Sequence, residues 1–160
     1  MINILFVCMG NICRSPSAEG FFAHALQDSA YRERVSIDSA GTHSYHVGHA
    51  PDSRAVETAS NFGVDIARLR ARKVSTDDFY HYDLVVAMDR DNLAGLRAIQ
   101  PADSKASLKM MMHYHPDGYP QDVPDPYYGG MNGFKYMCEL LEAATTGLLR
   151  DVEGRLEHSE

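Results

Sequence analysis

Apolar and polar positions along the chain fall into a small number of blocks. Ile2-Asn3-Ile4-Leu5-Phe6-Val7 is short, apolar and β-branched, and predicts a buried strand. Ala18, Phe21, Phe22, Ala25 and Leu26 then recur at helical spacing, which predicts a helix from about Ser15 to Gln27. Pro16 suits its first turn. Val35-Ser36-Ile37-Asp38-Ser39 alternates and predicts a second strand, ending in a turn-forming Ser39-Ala40-Gly41-Thr42. His43 to Pro51 is loop. Pro51 to Phe62 places Ala55, Val56, Ala59 and Phe62 on one helical face, with Gly63 as a stop. Ser75-Thr76-Asp77-Asp78 starts a short helix to about Tyr80.

Asp83 to Met88 is a third strand, whose apolar run suits a parallel sheet covered on both faces. Asp89 reads as the N-cap of a helix through Asn92, Leu93, Leu96 and Ile99. Leu108 to Met112 is a fourth, shorter strand, and His113 to Gly130 is loop rich in Pro, Gly and Asp. A last helix runs from Met131 to about Arg155, with Phe134, Cys138, Leu141, Leu148 and Val152 at core spacing and a polar end expected to fray. Strands alternating with helices imply right-handed βαβ crossovers. The expected fold is a single-domain three-layer α/β/α with a four-stranded parallel doubly wound sheet, residues 1–160 forming one domain. Ligands in such sheets bind beyond the carboxyl ends of the strands.

At such an end lies Cys8-Met9-Gly10-Asn11-Ile12-Cys13-Arg14-Ser15-Pro16, joining the first strand to the first helix. Successive backbone amides in a tight loop of this kind converge on one anion, and the helix N-terminus adds positive charge there. Gly10 permits a backbone conformation that a Cβ resists, and Asn11 tolerates left-handed geometry. Arg14 brings a planar fork that fits two phosphate oxygens. Cys8 would lie under the bound phosphorus, where the same amides and guanidinium favour thiolate over thiol. The bland alternative is a small buried hydrophobe ending a strand. The Gly-Asn, the Ser-Pro and the flanking elements favour the nucleophile.

The 160 residues, 44% hydrophobic, suit one domain with a sizeable core. The net charge of -7 argues against nucleic-acid or acidic-membrane partners, which need a basic face. No apolar run approaches the ~18 residues of a membrane span, and the first residues lack a secretory pattern. Three cysteines, one of them reactive in character, fit a reducing compartment, taken as the cytoplasm. His43, His46 and His49 invite a metal, but the segment holds Gly48, Pro51 and no Cys ligand. It reads better as a polar wall beside the phosphate loop. No metal and no cofactor are expected.

The Cys8 to Pro16 stretch resembles the phosphate loop of the low-molecular-weight protein tyrosine phosphatases. The resemblance extends through Asp38-Ser39-Ala40-Gly41-Thr42, Pro51-Asp52-Ser53-Arg54-Ala55, Met88-Asp89 with Asn92, and Asp125-Pro126-Tyr127-Tyr128, and so spans nearly the whole chain. It implies that Cys8, Arg14 and Asp125 are catalytic and that Met9 to Ser15 (Met9, Gly10, Asn11, Ile12, Cys13, Arg14, Ser15) hold phosphate. Tyr45, Tyr127 and Tyr128 would form the substrate wall, and Arg54 would be structural. One departure stands out: the family often has a His, supporting the loop by hydrogen bonds, where this chain has Leu69.

The implied reaction is attack of Cys8 on phosphorus while Asp125, acting as general acid, protonates a phenolic leaving group of pKa ~10. Asp125 precedes Pro126 on a long loop; its bland reading is an Asp-Pro turn, and Asp122 is the rival acid. Ser15 would hydrogen-bond the Cys8 sulfur. Cys13 is either a buried loop thiol or a disulfide partner that protects Cys8; Cys138 reads as core. The implied partner is a tyrosine-phosphorylated protein, a cognate tyrosine kinase by family analogy, with phosphate as product and the enzyme a monomer.

Three alternatives share or mimic the loop. A thioredoxin-coupled arsenate reductase needs two more relay thiols, and no Cys lies between Cys13 and Cys138. Phosphoarginine phosphatases tend to carry Thr at the Ile12 position and lack the paired tyrosines. A non-catalytic phosphate-binding module would not need Asp125.

Overall fold

A computed structural model describes residues 1–126 and 129–159. The chain runs β1 (Ile2–Cys8), α1 (Arg14–Leu26), β2 (Val35–Gly41), α2 (Ser53–Asn61), α3 (Asp78–His81), β3 (Leu84–Ala87), α4 (Arg90–Ile99), β4 (Ser107–Met110) and α5 (Gly130–His158). The four strands form one parallel sheet in the order β2-β1-β3-β4.

The expected α/β architecture is found. Alternation along β1 decides which layer each side chain joins. Ile4, Phe6 and Cys8 enter a core shared with Phe21 and Phe22 of α1, Ala55 and Ala59 of α2, and Phe134 and Leu141 of α5. Leu5 and Val7 point to the opposite side and pack with Phe79 of α3 and Leu96 of α4. Both faces of β1 are buried, so the strand reads as one continuous apolar run. Because β1 lies between β2 and β3, successive crossovers leave it in opposite directions. Its carboxyl end, at Cys8, is therefore the topological switch point where open α/β sheets bind ligands.

Several boundaries differ from the sequence reading. The Ser39-Ala40-Gly41 segment is strand, not turn: β2 pairs with β1 up to Cys8 opposite Gly41, and Gly41 also bridges Lys73. A 3-10 turn over Arg32–Arg34 was not anticipated. The fourth strand ends at Met110, and Met111–Tyr114 is a 3-10 turn with both methionines buried. The last helix continues to His158, because Val152 and Leu156 are buried against the core.

Candidate active site

The loop after β1 folds tightly for identifiable reasons. Asn11 has φ 57°, the left-handed region that Asn tolerates. Its side chain then ties the loop together. Asn11 Oδ1 accepts the Arg72 amide at 3.0 Å, while Nδ2 donates to Ser15 Oγ at 2.7 Å and to Ser39 Oγ at 3.0 Å. Carbonyls of the loop are used as well: Met9 accepts the His43 amide and Ile12 accepts the Asp52 amide. Gly41 lies under the loop, where a Cβ would stand 2.6 Å from the Met9 oxygen. Only glycine lets β2 approach that closely.

Cys8 is 2% exposed. Its Sγ lies 3.0 Å from Ser15 Oγ and receives the Asn11 amide at 3.3 Å. Among the described residues no acceptor takes the amides of Gly10, Ile12 or Cys13, which leaves these donors for an anion.

Arg14 opens α1 and is almost wholly buried. Its Nη1 donates to Asp89 Oδ2 at 2.5 Å and to the Val123 carbonyl at 3.1 Å, and its Nη2 lies 4.0 Å from Asp125 Oδ2. Burial opposes the charge, but attraction to Cys8, Asp89 and Asp125 outweighs it and holds the Arg14 pKa above its ordinary value. The guanidinium is thus fixed as a cation beside the sulfur.

These groups surround a cavity of about 250 Å³, lined by Cys8, Met9, Gly10, Ile12, Cys13, Arg14, His46 and Asp125. The structure therefore brings Cys8, Arg14 and Asp125 into one pocket although Asp125 is remote in sequence. Asn11 and Ser15 sit behind the lining and brace it. Asp122, the rival acid, is paired to Arg90 at 3.1 Å and is not in the lining. Tyr45 is 77% exposed and stacks on His43; the His43 to Pro51 loop reaches the pocket through His46 instead. Tyr127 and Tyr128 lie outside the described residues. Cys8, Cys13 and Cys138 are all free. Burial first, then Asp52, Cys8 and Asp125, push the Cys13 thiol up, with Arg54 opposing, so it stays protonated at neutral pH. Among the described residues no group of three or more His, Cys, Asp or Glu is placed to hold a metal ion.

Sequence reasoning read Asp89 only as a helix cap. It is one, accepting the Asn92 amide in a capping box, but its other oxygen anchors Arg14. Arg54 is structural as expected, paired with Asp52 at 2.9 Å and lying over the Phe134 ring at 4.7 Å. Leu69 packs on the core. Support for the loop comes here from the Arg72 amide and Ser39 on the Asn11 side chain.

A buried thiol ringed by amides and faced by a fixed guanidinium, at the switch point of a parallel sheet, defines a phosphate-handling cysteine site. Comparison with known proteins agrees. Residues 3–158 match the family model for low molecular weight phosphotyrosine protein phosphatases. The chain is 42% identical over 160 residues to the low molecular weight protein-tyrosine-phosphatase of Streptomyces coelicolor, covering 97% of this chain and 96% of that one. It is 42% identical over 134 residues to the low molecular weight phosphotyrosine protein phosphatase of Schizosaccharomyces pombe, covering 83% and 85%. The crystal structure of a protein tyrosine phosphatase from Entamoeba histolytica superposes with a TM-score of 0.91 at 37% identity, covering 96% of this chain and 98% of that one. The chain belongs to the low molecular weight phosphotyrosine protein phosphatase family, phosphoric monoester hydrolases that act on phosphoproteins and release phosphate.

Proposed function

We propose that this chain hydrolyses phosphotyrosine in proteins through a cysteinyl-phosphate intermediate, with the work divided among Cys8, Arg14 and Asp125. The observation that carries the assignment is their convergence on one small pocket, beside the Gly10, Ile12 and Cys13 amides that no acceptor among the described residues takes. Cys8 sulfur attacks phosphorus in line, and the bond to the phenolic oxygen breaks. Asp125 gives its proton to that oxygen. The charge on the phosphoryl oxygens meets Arg14 and the loop amides. Asp125, now a carboxylate, takes a proton from water as the water oxygen attacks phosphorus. The sulfur–phosphorus bond breaks and inorganic phosphate departs. Ser15, 3.0 Å from the sulfur, donates to it as it leaves.

Tyr45, Tyr127 and Tyr128 are assigned to the substrate side of this reading. Three free, buried cysteines support work in a reducing compartment, the cytoplasm; among the described residues no helix is long and apolar enough to cross a membrane. The test is Asp125→Ala. Its turnover of phosphotyrosine should fall ~10²-fold or more, the range of general acid catalysis, with a smaller fall on an aryl ester whose leaving group is already acidic. Equal losses on both esters, or none, would remove Asp125 from this role.

A further inference from the structure

The chain of hydrogen bonds behind Cys8 does not end at the loop. Ser39 Oγ donates to Glu19 Oε1 at 2.7 Å, and the donor and acceptor roles fix the path as far as Ser15. The Arg72 amide can only donate, so it fixes the Asn11 carbonyl toward itself and the Asn11 amino group toward Ser15 and Ser39. Ser39 accepts from Asn11 and must place its own proton elsewhere; Glu19 takes it. Ser15 likewise accepts from Asn11, which leaves its proton for Cys8 Sγ at 3.0 Å, the alternative being the Ala40 carbonyl at 3.4 Å.

The geometry points to Glu19 as a positioning residue for Cys8: by accepting the Ser39 proton, its carboxylate locks Asn11 and keeps the Ser15 hydroxyl donating to the sulfur. This rests on the cysteinyl-phosphate reading above, and deepens it. Glu19 touches neither sulfur nor substrate. Burial raises its pKa, the Ser39 hydrogen bond lowers it, Asp38 raises it and Arg72 lowers it, with a net rise. It also borders a second cleft, with His24, Gln27 and Asp65, so solvent protons reach it without crossing the catalytic pocket.

The experiment compares wild type, Glu19→Leu, Glu19→Gln and Ser39→Ala in steady-state and rapid-quench turnover of p-nitrophenyl phosphate, with inorganic phosphate as competitor. Glu19→Leu should lower kcat about tenfold, the scale of one charge-assisted hydrogen bond. Phosphate inhibition and kcat/KM should stay within about twofold, KM falling with kcat, because Glu19 touches neither Arg14 nor the phosphate-holding amides. Phosphoenzyme should accumulate, since the sulfur leaves more slowly. Glu19→Gln, which keeps an acceptor oxygen for Ser39 but not the charge, should recover only part of the rate. Adding Glu19→Leu to Ser39→Ala should cost nothing further.

If Glu19→Leu does not fold, the pH profile of Glu19→Gln decides. Wild-type kcat should decline as acid neutralises Glu19, and the variant should lack that limb. Wild-type turnover in Glu19→Leu, additive losses in the double variant, an unchanged acid limb, or loss of phosphate affinity alongside kcat would each overturn the role. Any of these leaves the phosphatase reading intact, because that depends on turnover vanishing in Cys8→Ser. A wild type without turnover would remove both.

Discussion

Asp89 performs two tasks with its two oxygens, and they can be separated by substitution. Oδ1 accepts the Asn92 amide at 2.7 Å and caps α4; Oδ2 holds Arg14 at 2.5 Å. Asp89→Ala removes both. The lost cap costs about 1 kcal/mol. Breaking a buried ion pair costs ~3–5 kcal/mol, because the partner stays buried with an uncompensated charge. The side chain of Arg14 is 5% exposed but that of Asp89 is 19%, and Asp125 remains 4.0 Å away, so the lower end, about 3 kcal/mol, applies. The expected total is about 4 kcal/mol for Asp89→Ala. Asp89→Asn keeps a capping oxygen and should lose only about 3 kcal/mol.

Catalysis should suffer in both variants, because Arg14 keeps only the Val123 carbonyl at its Nη1. A displacement of about 1 Å at such a group costs ~10²-fold in rate. Urea unfolding with and without inorganic phosphate, beside kcat/KM on p-nitrophenyl phosphate, measures both effects. Phosphate should restore more stability to the variants than to wild type, since it supplies the anion that Arg14 has lost. If Asp89→Ala unfolded within about 1 kcal/mol of wild type at full activity, the reasoning about Arg14 would be wrong.

Two further outcomes follow from contacts away from the sulfur. Gly41→Ala places a Cβ 2.6 Å from the Met9 oxygen and 3.2 Å from the Asn11 nitrogen; the phosphate loop must shift, so kcat/KM should fall at least ~10-fold for a stability cost of only ~1–3 kcal/mol, read by kinetics and melting on one preparation. Asp52 has its pKa held below the ordinary value, first by the Arg54 side-chain hydrogen bond, with burial opposing. A depressed folded pKa means the pair stabilises above the unfolded pKa of ~3.9 and loses that effect as pH falls through the folded value. Asp52→Asn should therefore lower Tm at pH 7 and converge with wild type in strong acid.

Much of this molecule was legible because its signals are local. β1 is an unbroken apolar run, the phosphate loop is a short motif, and α1 carries a clear helical repeat; each is written within a dozen residues. What escaped is written across the chain. Nothing near Asp89 says that one oxygen caps a helix while the other crosses to Arg14, 75 positions away. Ser39 and Gly41 look like turn formers in isolation; pairing with β1 overrides that preference, and Gly41 must be glycine for the loop packed over it. Glu19 carries no local signal of its own; its role depends on β2 bringing Ser39 against it. His46 was seen only as one of three histidines in a loop, and the three-dimensional path of that loop, not its spacing, sets it at the pocket.

If Cys8 is the nucleophile, the phosphoryl group passes through a covalent bond to its sulfur. Rapid acid quench after mixing with a phosphotyrosyl peptide labelled on phosphorus, followed by proteolysis and mass spectrometry, tests it directly. Transient label is expected on the peptide containing Cys8, as S-phosphocysteine that disappears at the rate phosphate is released and is absent in Cys8→Ser. Label on any other residue, or full turnover in Cys8→Ser, would contradict it.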